Sequence, residues 1–478
     1  MTIDEQKKVW FEHYQNAPKL TEQAKTINGL VSAFNVNIDA VVKLSGSKIK
    51  QIIRALHIDE AALLQEKEAK IAQTEDALRG LIKCFKEGIA EEWVIQNKAT
   101  FEILKKHLGT EKLQMGGQAG IVANMAAVCG VDPVYVHAAS LPKEQSKLFH
   151  DLPNLKSFTS ETKAEKVSAM QRDNELPMIH YIIEFDKDDS ITLDGKNITC
   201  PKSNRFIATY DPLNLQLHIN PTFEKAIASG KFKYDYLILS GFQLLQKELP
   251  NRQSGIKRIE ETAELVSKWR EKNPDHILHL ELASTQDTAI RKKLASKLGS
   301  IADSIGLNER ELIDLMEVIG KEDLANTCDK NTTAVNLLAA LLDAFAFTKT
   351  PRIQLHMFGL YLTIQKKNFK LSPEQNRNGM MTAALTAAAK AMTGAIDSPD
   401  VLLHAQNEKV SDIGLKELNN LSSYIDAYCG ANNLKETGIF HHRDFDLIAV
   451  PTIIVDNPVS LVGMGDTISS VSLIGAGS

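Results

Sequence analysis

The second half of the chain consists of short apolar runs separated by segments with helical spacing. The runs show no alternation of polar and apolar residues, which is typical of strands buried on both faces of a parallel sheet. They lie at residues 234–242, 276–284, 301–308, 353–364 and 445–455. We therefore predict an α/β layer after residue 230, in which helices such as the alanine-rich segment 380–394 cover the strands.

The first half has a less regular pattern. Residues 49–94 are rich in charge, have helical spacing and contain no proline, so we predict two amphipathic helices there. Residues 30–42 and 131–140 have strand patterns, and residues 178–211 resemble a long hairpin or a pair of strands around a polar loop. We expect these interrupted segments to build a smaller α/β lid on a large α/β domain formed mainly by the C-terminal half.

Composition narrows the class of protein. The 478 residues include 43% hydrophobic and 24% charged residues, as in a soluble globular protein, and the net charge of −5 gives no basic footprint for nucleic acid. The five cysteines are scattered and form no CxxC pair, which favours a reducing cytoplasm over a disulfide framework or a zinc site. We expect no secretory signal and no membrane span, because the N-terminus is polar and no apolar stretch approaches ~18 residues.

Two glycines and an aspartate follow the last apolar run, in "GMGD" (463–466). If this stretch opens a helix, its backbone N–H groups point outward together and form an anion cradle. Gly463 and Gly465 would allow bent or left-handed backbone and close approach of a phosphate, and Asp466 would hold a carboxylate beside the attacking oxygen. Taken alone, the motif fits a structural turn equally well.

Two acidic motifs follow other apolar runs. Glu281 lies in "HLE" and Glu311 in "NERE", where Asn308 precedes it by three residues. Carboxylates at the carboxyl ends of parallel strands stand where open α/β sheets bind ligands, and Mg²⁺ usually takes one or two of them. The alternative for each is a helix-capping or surface carboxylate.

Several polar groups in the first half suit a sugar. Asn37 and Asp39 offer an amide and a carboxylate to neighbouring hydroxyls, while Gly116 and Gly117 expose N–H groups beside Gln118. His180, in a strand pattern, is either a further hydroxyl partner or a satisfied core histidine.

Together and in this order, the motifs resemble those of the ADP-dependent sugar kinases, the archaeal glucokinase and phosphofructokinase group of the ribokinase-like superfamily. The resemblance runs over most of the chain, through "FNVNIDAV", "MGGQAGIVAN", "IHYIIEF", "NRFI", the HxE and NxxE motifs and "VGMGDTISS". It implies a Rossmann-like large domain with a central, mostly parallel sheet that carries the nucleotide, and a smaller α/β lid that closes on the sugar.

The resemblance also implies roles for individual residues. Asp466 would be the catalytic base, with Gly463, Met464 and Gly465 as the anion hole. Glu281 and Glu311 would hold Mg²⁺ largely through water. Nucleotide contacts would come from Arg205 as a phosphate clamp, from Asn308, from His356 and from Val450, which would pack on adenine.

The same resemblance leads us to expect ADP as the phosphoryl donor, AMP as the product and a monomeric enzyme. The large domain would comprise residues 1–18, 40–60, 120–167 and 212–478, and the lid residues 19–39, 61–119 and 168–211.

The choice of sugar depends on Glu92, which stands where glucose-using members of the group resemble one another in having a glutamate. The chain looks most like the methanogen branch, so we expect fructose 6-phosphate as substrate with glucose as a second one. No basic cluster precedes "IHYIIEF", where Met178 stands, so Lys163, Lys166 or Arg172 would have to hold the sugar phosphate. The alternatives are an ADP-dependent glucokinase, an ATP-using ribokinase-type enzyme and a non-catalytic sugar or nucleotide sensor.

Overall fold

Two β-sheets, each with its own hydrophobic core, organise the chain in this computed structural model, which describes residues 2–282, 285, 287–459 and 463–477. The strands are β1 (Leu30–Ala33), β2 (Asn37–Lys43), β3 (Lys70–Ile71), β4 (Glu91–Ile95), β5 (Lys112–Gly116), β6 (Val134–Val136), β7 (Leu155–Ser160), β8 (Lys163–Lys166), β9 (Ile179–Phe185), β10 (Ser190–Leu193), β11 (Lys196–Thr199), β12 (Asn204–Tyr210), β13 (Tyr236–Leu239), β14 (Ile277–Glu281), β15 (Ser304–Leu307), β16 (Arg352–Met357), β17 (Leu360–Lys366), β18 (Ile439–His441) and β19 (Phe445–Pro451).

The α-helices surround these sheets. They are α1 (Ile3–Gln15), α2 (Leu20–Ala24), α3 (Gly46–Ala55), α4 (Glu60–Leu63), α5 (Thr74–Glu87), α6 (Lys98–Leu108), α7 (Gln118–Cys129), α8 (Lys143–Ser146), α9 (Pro221–Ala228), α10 (Gly255–Lys272), α11 (Thr288–Lys293), α12 (Gly299–Ile301), α13 (Glu309–Val318), α14 (Glu322–Lys330), α15 (Ala334–Thr348), α16 (Pro373–Thr393), α17 (Asp412–Cys429), α18 (Leu434–Thr437) and α19 (Met464–Ala476). Within the described ranges, none of them is long and apolar enough to cross a membrane.

The larger sheet has eleven strands in the order β18-β19-β17-β16-β15-β14-β13-β1-β6-β7-β8. Its centre, from β16 to β7, is parallel, and the strands at both edges are antiparallel. The predicted α/β class with a mostly parallel central sheet is therefore confirmed.

Two of the apolar runs differ from the prediction of single parallel strands. Residues 353–364 turn back at Gly359, whose φ of +88° suits glycine, and form the antiparallel hairpin β16–β17. The run at 445–455 contains β19, which pairs antiparallel with β17. Apolar content marks burial on both faces of a strand, but it does not encode strand direction. The segment 380–394 lies almost wholly within α16, as predicted.

The smaller sheet has six strands in the order β3-β4-β12-β9-β2-β5. The predicted pair of strands at 178–211 is β9 and β12, which pair antiparallel around the small hairpin β10–β11. The two amphipathic helices predicted at 49–94 are α3 and α5, with α4 and β3 between them. Both helices pack their apolar faces into the core of the smaller sheet.

The predicted strand at 30–42 is divided between the two sheets. β1 lies in the larger sheet and β2 in the smaller one, so the chain crosses between domains at residues 34–36. The domain boundaries expected at residues 19–39 and 40–60 are therefore corrected. Leu20 and Leu30 belong to the large core, whereas Val42 and Ile52 belong to the small one. The continuous apolar pattern hides the crossing because both strands are buried.

Hydrogen bonds connect this crossing to a second crossing between the domains, near residues 211–214. The side-chain amide of Asn214 donates to the carbonyl of Val36 at 3.2 Å and to the Asp211 carboxylate at 2.8 Å. Gln145 also donates to the Val36 carbonyl at 3.2 Å. Asn37, one of the predicted sugar residues, begins β2 directly after this crossing.

Candidate active site

The N-terminus of α19 carries the predicted phosphate cradle. Gly463 is the N-cap residue and has the predicted left-handed backbone, with φ of +61°, whereas Gly465 already lies in the helix. A Cβ on Gly463 would lie 2.8 Å from Ile121 Cδ1, and one on Gly465 would lie 3.1 Å from His356 Nε2. The left-handed backbone favours glycine at position 463, and a side chain at either position would need its neighbour to shift. Leu461 and Val462, from the same motif, lie outside the described residues.

Asp466 lies half-buried in the first turn of α19 and has one direct hydrogen-bond donor from another helix. Gln118 Nε2 donates to Asp466 Oδ1 at 2.8 Å, and Gln118 Oε1 accepts from the N–H of Gly241 at 2.9 Å. Gln118, predicted as a sugar ligand, thus orients the carboxylate. Burial raises the pKa of Asp466, and the Gln118 hydrogen bond and the charge of Lys390 oppose that effect. A raised pKa makes the carboxylate a better proton acceptor.

Glu281 lies at the end of β14 and is buried against α19. Its Oε1 accepts from Ser469 Oγ at 3.0 Å, and its Oε2 lies 3.1 Å from His279 Nε2. Burial raises the pKa of Glu281, and the charges of Glu311 and Asp466 raise it further. Three carboxyl groups therefore share one region of the site.

Glu311 and Asn308 form a reciprocal N-cap at the start of α13. The Asn308 side chain accepts from the Glu311 N–H at 3.0 Å, and the Glu311 carboxylate accepts from the Asn308 N–H at 2.9 Å. The capping alternative considered for Glu311 is thus observed. The cap also holds its carboxylate close enough to raise the pKa of Glu281.

A cleft of about 970 Å³ opens beside Gly465. Asn308 and His356 line it together with apolar side chains. Burial lowers the pKa of His356 to about 4, so its imidazole is neutral, and its Nδ1 has no hydrogen-bond partner among the described residues.

The adenine contact expected from Val450 is corrected. Val450 is fully buried in β19, where it pairs with Tyr361, and it does not line the cleft. Ile453, Ile454 and Val455, just beyond the strand, line the cleft instead. The apolar run at 445–455 therefore indicated the right segment, but only the residues after β19 leave the sheet and reach the cleft.

Asn37 and Asp39 lie side by side on β2, facing β5. Asn37 Nδ2 donates to Asp39 Oδ1 at 2.8 Å, which leaves the buried Asn37 Oδ1 without a partner among the described residues. Gly116 is necessary here, because its Cβ would lie 2.1 Å from Asp39 Oδ1. Gly117 adopts φ of +75° at the start of α7. Burial raises the pKa of Asp39 to about 6.

His180 joins this polar face from β9. Its Nε2 lies 3.0 Å from Asp211 Oδ2, and its Nδ1 lies 3.6 Å from Glu92 Oε1. Burial alone would lower the pKa of His180, but the hydrogen bond to Asp211 and the charge of Glu92 raise it to about 9. Glu92 also accepts from Thr209 Oγ1 at 2.5 Å. The face thus presents two carboxylates and an imidazolium.

Arg205 lies exposed on β12 and acts on the sugar face electrostatically, since its charge lowers the pKa of Asp39. Three residues were expected to hold a sugar phosphate. Lys163 and Lys166 are on β8, at an edge of the larger sheet. Arg172 pairs with Glu175 at 2.8 Å and donates to the Ala138 carbonyl.

Comparison with known proteins identifies the family to which the chain belongs. Residues 28–475 match the ADP-specific phosphofructokinase/glucokinase conserved region. The chain belongs to this family.

Relatives of this ADP-dependent sugar kinase include both phosphofructokinases and glucose kinases. An ADP-specific phosphofructokinase of Methanosarcina acetivorans is 26% identical, with 99% of this chain and 97% of the relative aligned. An ADP-dependent glucose/glucosamine kinase of Pyrococcus furiosus is 31% identical, with 98% of each chain aligned.

Solved structures of the family superpose over the whole kinase. The last common ancestor of ADP-dependent phosphofructokinases from Methanosarcinales has a TM-score of 0.86 at 28% identity, covering 100% of this chain and 99% of that one. An ADP-dependent kinase complex with fructose-6-phosphate and ADPβS has a TM-score of 0.82 at 27% identity, covering 100% and 98%.

The sequence motifs missed several groups of the kinase site. Thr209 and Asp211 support Glu92 and His180, and Ser469 supports Glu281. Lys390 contacts the cradle directly from α16. Its only signal in the sequence is a single lysine within the otherwise uncharged segment 380–394.

Proposed function

We propose that this enzyme transfers the β-phosphoryl group of ADP to fructose 6-phosphate, giving fructose 1,6-bisphosphate and AMP, and that it accepts glucose as a second substrate. The observation that carries the proposal is the position of Asp466. It lies in the first turn of α19, directly after Gly465, which lines the cleft. Gln118, which follows Gly116 and Gly117 in the chain, orients the Asp466 carboxylate.

The geometry supports an in-line transfer. The N–H groups at the start of α19 stabilise the charge on the transferred group, because a helix N-terminus favours anions. Asp466 orients the sugar hydroxyl and accepts its proton late in the reaction. The hydroxyl oxygen forms a bond to the β-phosphorus, and the bond from that phosphorus to the bridging oxygen breaks, so AMP leaves with the electron pair.

We propose that the donor site holds a hydrated Mg²⁺ near Glu281 and Glu311. The mutual repulsion that raises the pKa of Glu281 fits a site that needs a countercharge. No group of three His, Cys, Asp or Glu side chains that could hold a metal ion is found among the described residues. Mg²⁺ commonly keeps several waters and takes only one or two protein carboxylates. When bound, Mg²⁺ would neutralise charge on the diphosphate. Arg205 would add a further positive charge.

On the sugar side, Asp39 and Glu92 accept hydrogen bonds from hydroxyls, and Asn37 offers its unpartnered carbonyl oxygen. Gly116 makes room for the side chains of Asn37 and Asp39, and Gly117 makes room for the carbonyl of Asn35. His180, charged at neutral pH, balances the two carboxylates. Arg205 acts on this face from an exposed position, so we take it as the candidate partner for a sugar phosphate as well as for the nucleotide.

The preference for fructose 6-phosphate is supported by the full-length likeness to the phosphofructokinases of Methanosarcina and the Methanosarcinales. The retained Glu92 supports the use of glucose. The test is kcat/KM for both sugars with ADP and Mg²⁺. We expect turnover of both with a higher value for fructose 6-phosphate, whereas turnover of glucose alone would make the enzyme a glucokinase.

The remaining expectations stay proposals. We propose a monomeric, cytoplasmic enzyme, which the five free cysteines support. The family match argues against an ATP-using ribokinase-type enzyme. The non-catalytic sensor is disfavoured because Asp466, Glu281 and Glu311 are all present and close together.

A further inference from the structure

Lys390 is a buried cation behind the phosphate cradle. It lies near the end of α16, with 8% of its surface exposed. Its Nζ donates to the carbonyl oxygen of Gly463 at 3.0 Å and lies 2.9 Å from Thr467 Oγ1. It forms no ion pair with a carboxylate in the part of the chain that the structure describes. A buried ammonium is costly unless its charge is used.

The Gly463 carbonyl is held by three donors. The N–H of Thr467 donates to it at 3.2 Å, Thr467 Oγ1 at 2.8 Å and Lys390 Nζ at 3.0 Å. An N-cap carbonyl needs only the first of these bonds. Gly463 has a left-handed backbone, and glycine can adopt many other backbone conformations. The additional bonds therefore fix the peptide plane that leads into residues 464–466.

The charge of Lys390 also reaches the cradle. Burial lowers the pKa of Lys390 to about 8 and the nearby Asp466 opposes this effect, so the ammonium remains protonated at neutral pH. It stands at the N-terminal end of α19, where the helix dipole is already positive. In a poorly solvated position its field is weakly screened and acts on a phosphoryl group bound at the cradle.

We propose that Lys390 is a positioning residue for phosphoryl transfer: it fixes the Gly463 peptide and adds positive charge behind the anion hole. The proposal rests on transfer at Asp466, as proposed above. In this proposal Lys390 acts on the transferred phosphoryl group and contacts neither the sugar nor the adenosine.

The first test compares Lys390→Met with Lys390→Arg and with Lys416→Met, which removes an exposed lysine from α17. We expect Lys390→Met to lower kcat by about 10²-fold, with the KM of the sugar within about twofold of wild type. Lys390→Arg should retain more activity than Lys390→Met, and Lys416→Met should match wild type. A kcat for Lys390→Met within twofold of wild type would overturn the proposal.

A binding measurement separates this proposal from the proposed function. Calorimetry with ADP and with AMP isolates the contribution of the β-phosphate and needs no turnover. Lys390→Met should weaken ADP about tenfold and leave AMP unchanged. Equal weakening of both nucleotides would show a structural role only and contradict the proposal. Absence of transfer from ADP to either sugar in the wild-type enzyme would instead defeat the proposed function, while the ratio of ADP to AMP binding would still decide the role of Lys390.

Chemical rescue tests the charge itself. A cavity of about 360 Å³ reaches both Lys390 and Thr467, so a small amine has a route to the space left by Lys390→Ala. Ethylammonium should restore part of kcat in that variant, whereas 1-propanol should not. In a variant that melts at the wild-type temperature, failure of ethylammonium to restore kcat would contradict a role for the positive charge.

Discussion

At the scale of single residues, the account depends on Asp466. Gln118 fixes the direction of its carboxylate, and burial raises its pKa. Asp466→Asn preserves the size of the side chain but removes the proton acceptor. We expect kcat to fall by at least ~10²-fold, with the dissociation constants of ADP and sugar nearly unchanged. Asp397→Asn, on an exposed acid of the same domain, is the matched control. Turnover near the wild-type rate in Asp466→Asn would exclude Asp466 as the base.

Asp39 gives the sugar site a dependence on pH. Burial raises its pKa to about 6, so the carboxylate that we propose accepts sugar hydrogen bonds is lost as the pH falls through this value. We expect the KM of the sugar to rise as the pH falls from 7 to 5. In Asp39→Asn the KM should be higher and should not change over this range. A wild-type KM that is constant from pH 7 to 5 would contradict the role of Asp39.

The same shift in pKa affects stability in a defined direction. Between about pH 4 and pH 6 the folded protein keeps a proton on Asp39 that the unfolded chain has lost. The contribution of Asp39 to the free energy of unfolding therefore decreases as the pH rises through this window.

The residue scale was also the most predictable one. The fold brings Asp466 of "GMGD", Glu281 of "HLE" and Glu311 of "NERE" close together, and their proposed roles stay predictions. The adenine contact predicted for Val450 was wrong, because the apolar run indicates the segment but not the residue at which the chain leaves the sheet. Lys390 was missed because a lone lysine in an alanine-rich helix carries no local signal of the loop it contacts 73 residues later.

At the scale of elements, a buried polar network joins the large sheet to α16 and α19. Arg352 is fully buried on β16 and donates to Ser304 Oγ and to Asn376 Oδ1, both at 2.7 Å, and to Gln354 Oε1. Ser304 contacts His279, which in turn contacts Glu281. The network therefore supports the carboxylate end of β14 from inside the sheet.

Arg352→Met tests this network. The substitution removes the Arg352 donor from Asn376 Oδ1, whereas Gln354 Oε1 keeps Ser472 Oγ at 2.6 Å and Ser304 Oγ keeps His279 Nδ1 at 2.9 Å. We therefore expect the free energy of unfolding to fall by about 1–3 kcal/mol, the cost of one buried acceptor left without its donor. The denaturation midpoint measures it. Arg443→Met, which removes an exposed arginine paired with Asp444, should change the midpoint little. Equal midpoints for Arg352→Met and wild type would show that the network contributes no net stability.

The periodicity of the sequence predicted where helices and strands lie, but it did not predict which strands pair or in which direction they run. The hairpin at Gly359 and the antiparallel β19 were hidden within apolar runs that read as single parallel strands. The crossing at residues 34–36 was hidden for a similar reason, since β1 and β2 are both buried and only their partners in space differ. Local pattern reports burial, whereas pairing is decided by distant segments.

At the scale of the whole molecule, the sugar face and the base lie on different domains. Across the described chain, no hydrogen bond joins Asp39, Glu92 or His180 to α19. Transfer needs these groups to approach and to exclude water, which would otherwise receive the phosphoryl group. The crossings near residues 34–36 and 211–214 are the natural hinge, because the chain passes between the sheets there.

Closure should be visible by small-angle X-ray scattering. We expect the radius of gyration to fall when ADP, Mg²⁺ and fructose 6-phosphate are all present, and to change less with the sugar alone. Asp466→Asn, in which we expect retained binding and a kcat at least ~10²-fold lower, allows the closed complex to be measured with slow consumption of substrate. An unchanged radius of gyration at saturating ligands would contradict a closing lid.

The central claim is that the β-phosphoryl group of ADP moves to a sugar hydroxyl at Asp466. The most direct measurement follows the label from [β-³²P]ADP, with Mg²⁺ and fructose 6-phosphate, into products separated by chromatography. We predict that the label appears in fructose 1,6-bisphosphate in a one-to-one ratio with AMP, and that Asp466→Asn slows its transfer by at least ~10²-fold. Transfer from [γ-³²P]ATP with none from labelled ADP, or release of the label only as inorganic phosphate, would contradict the account.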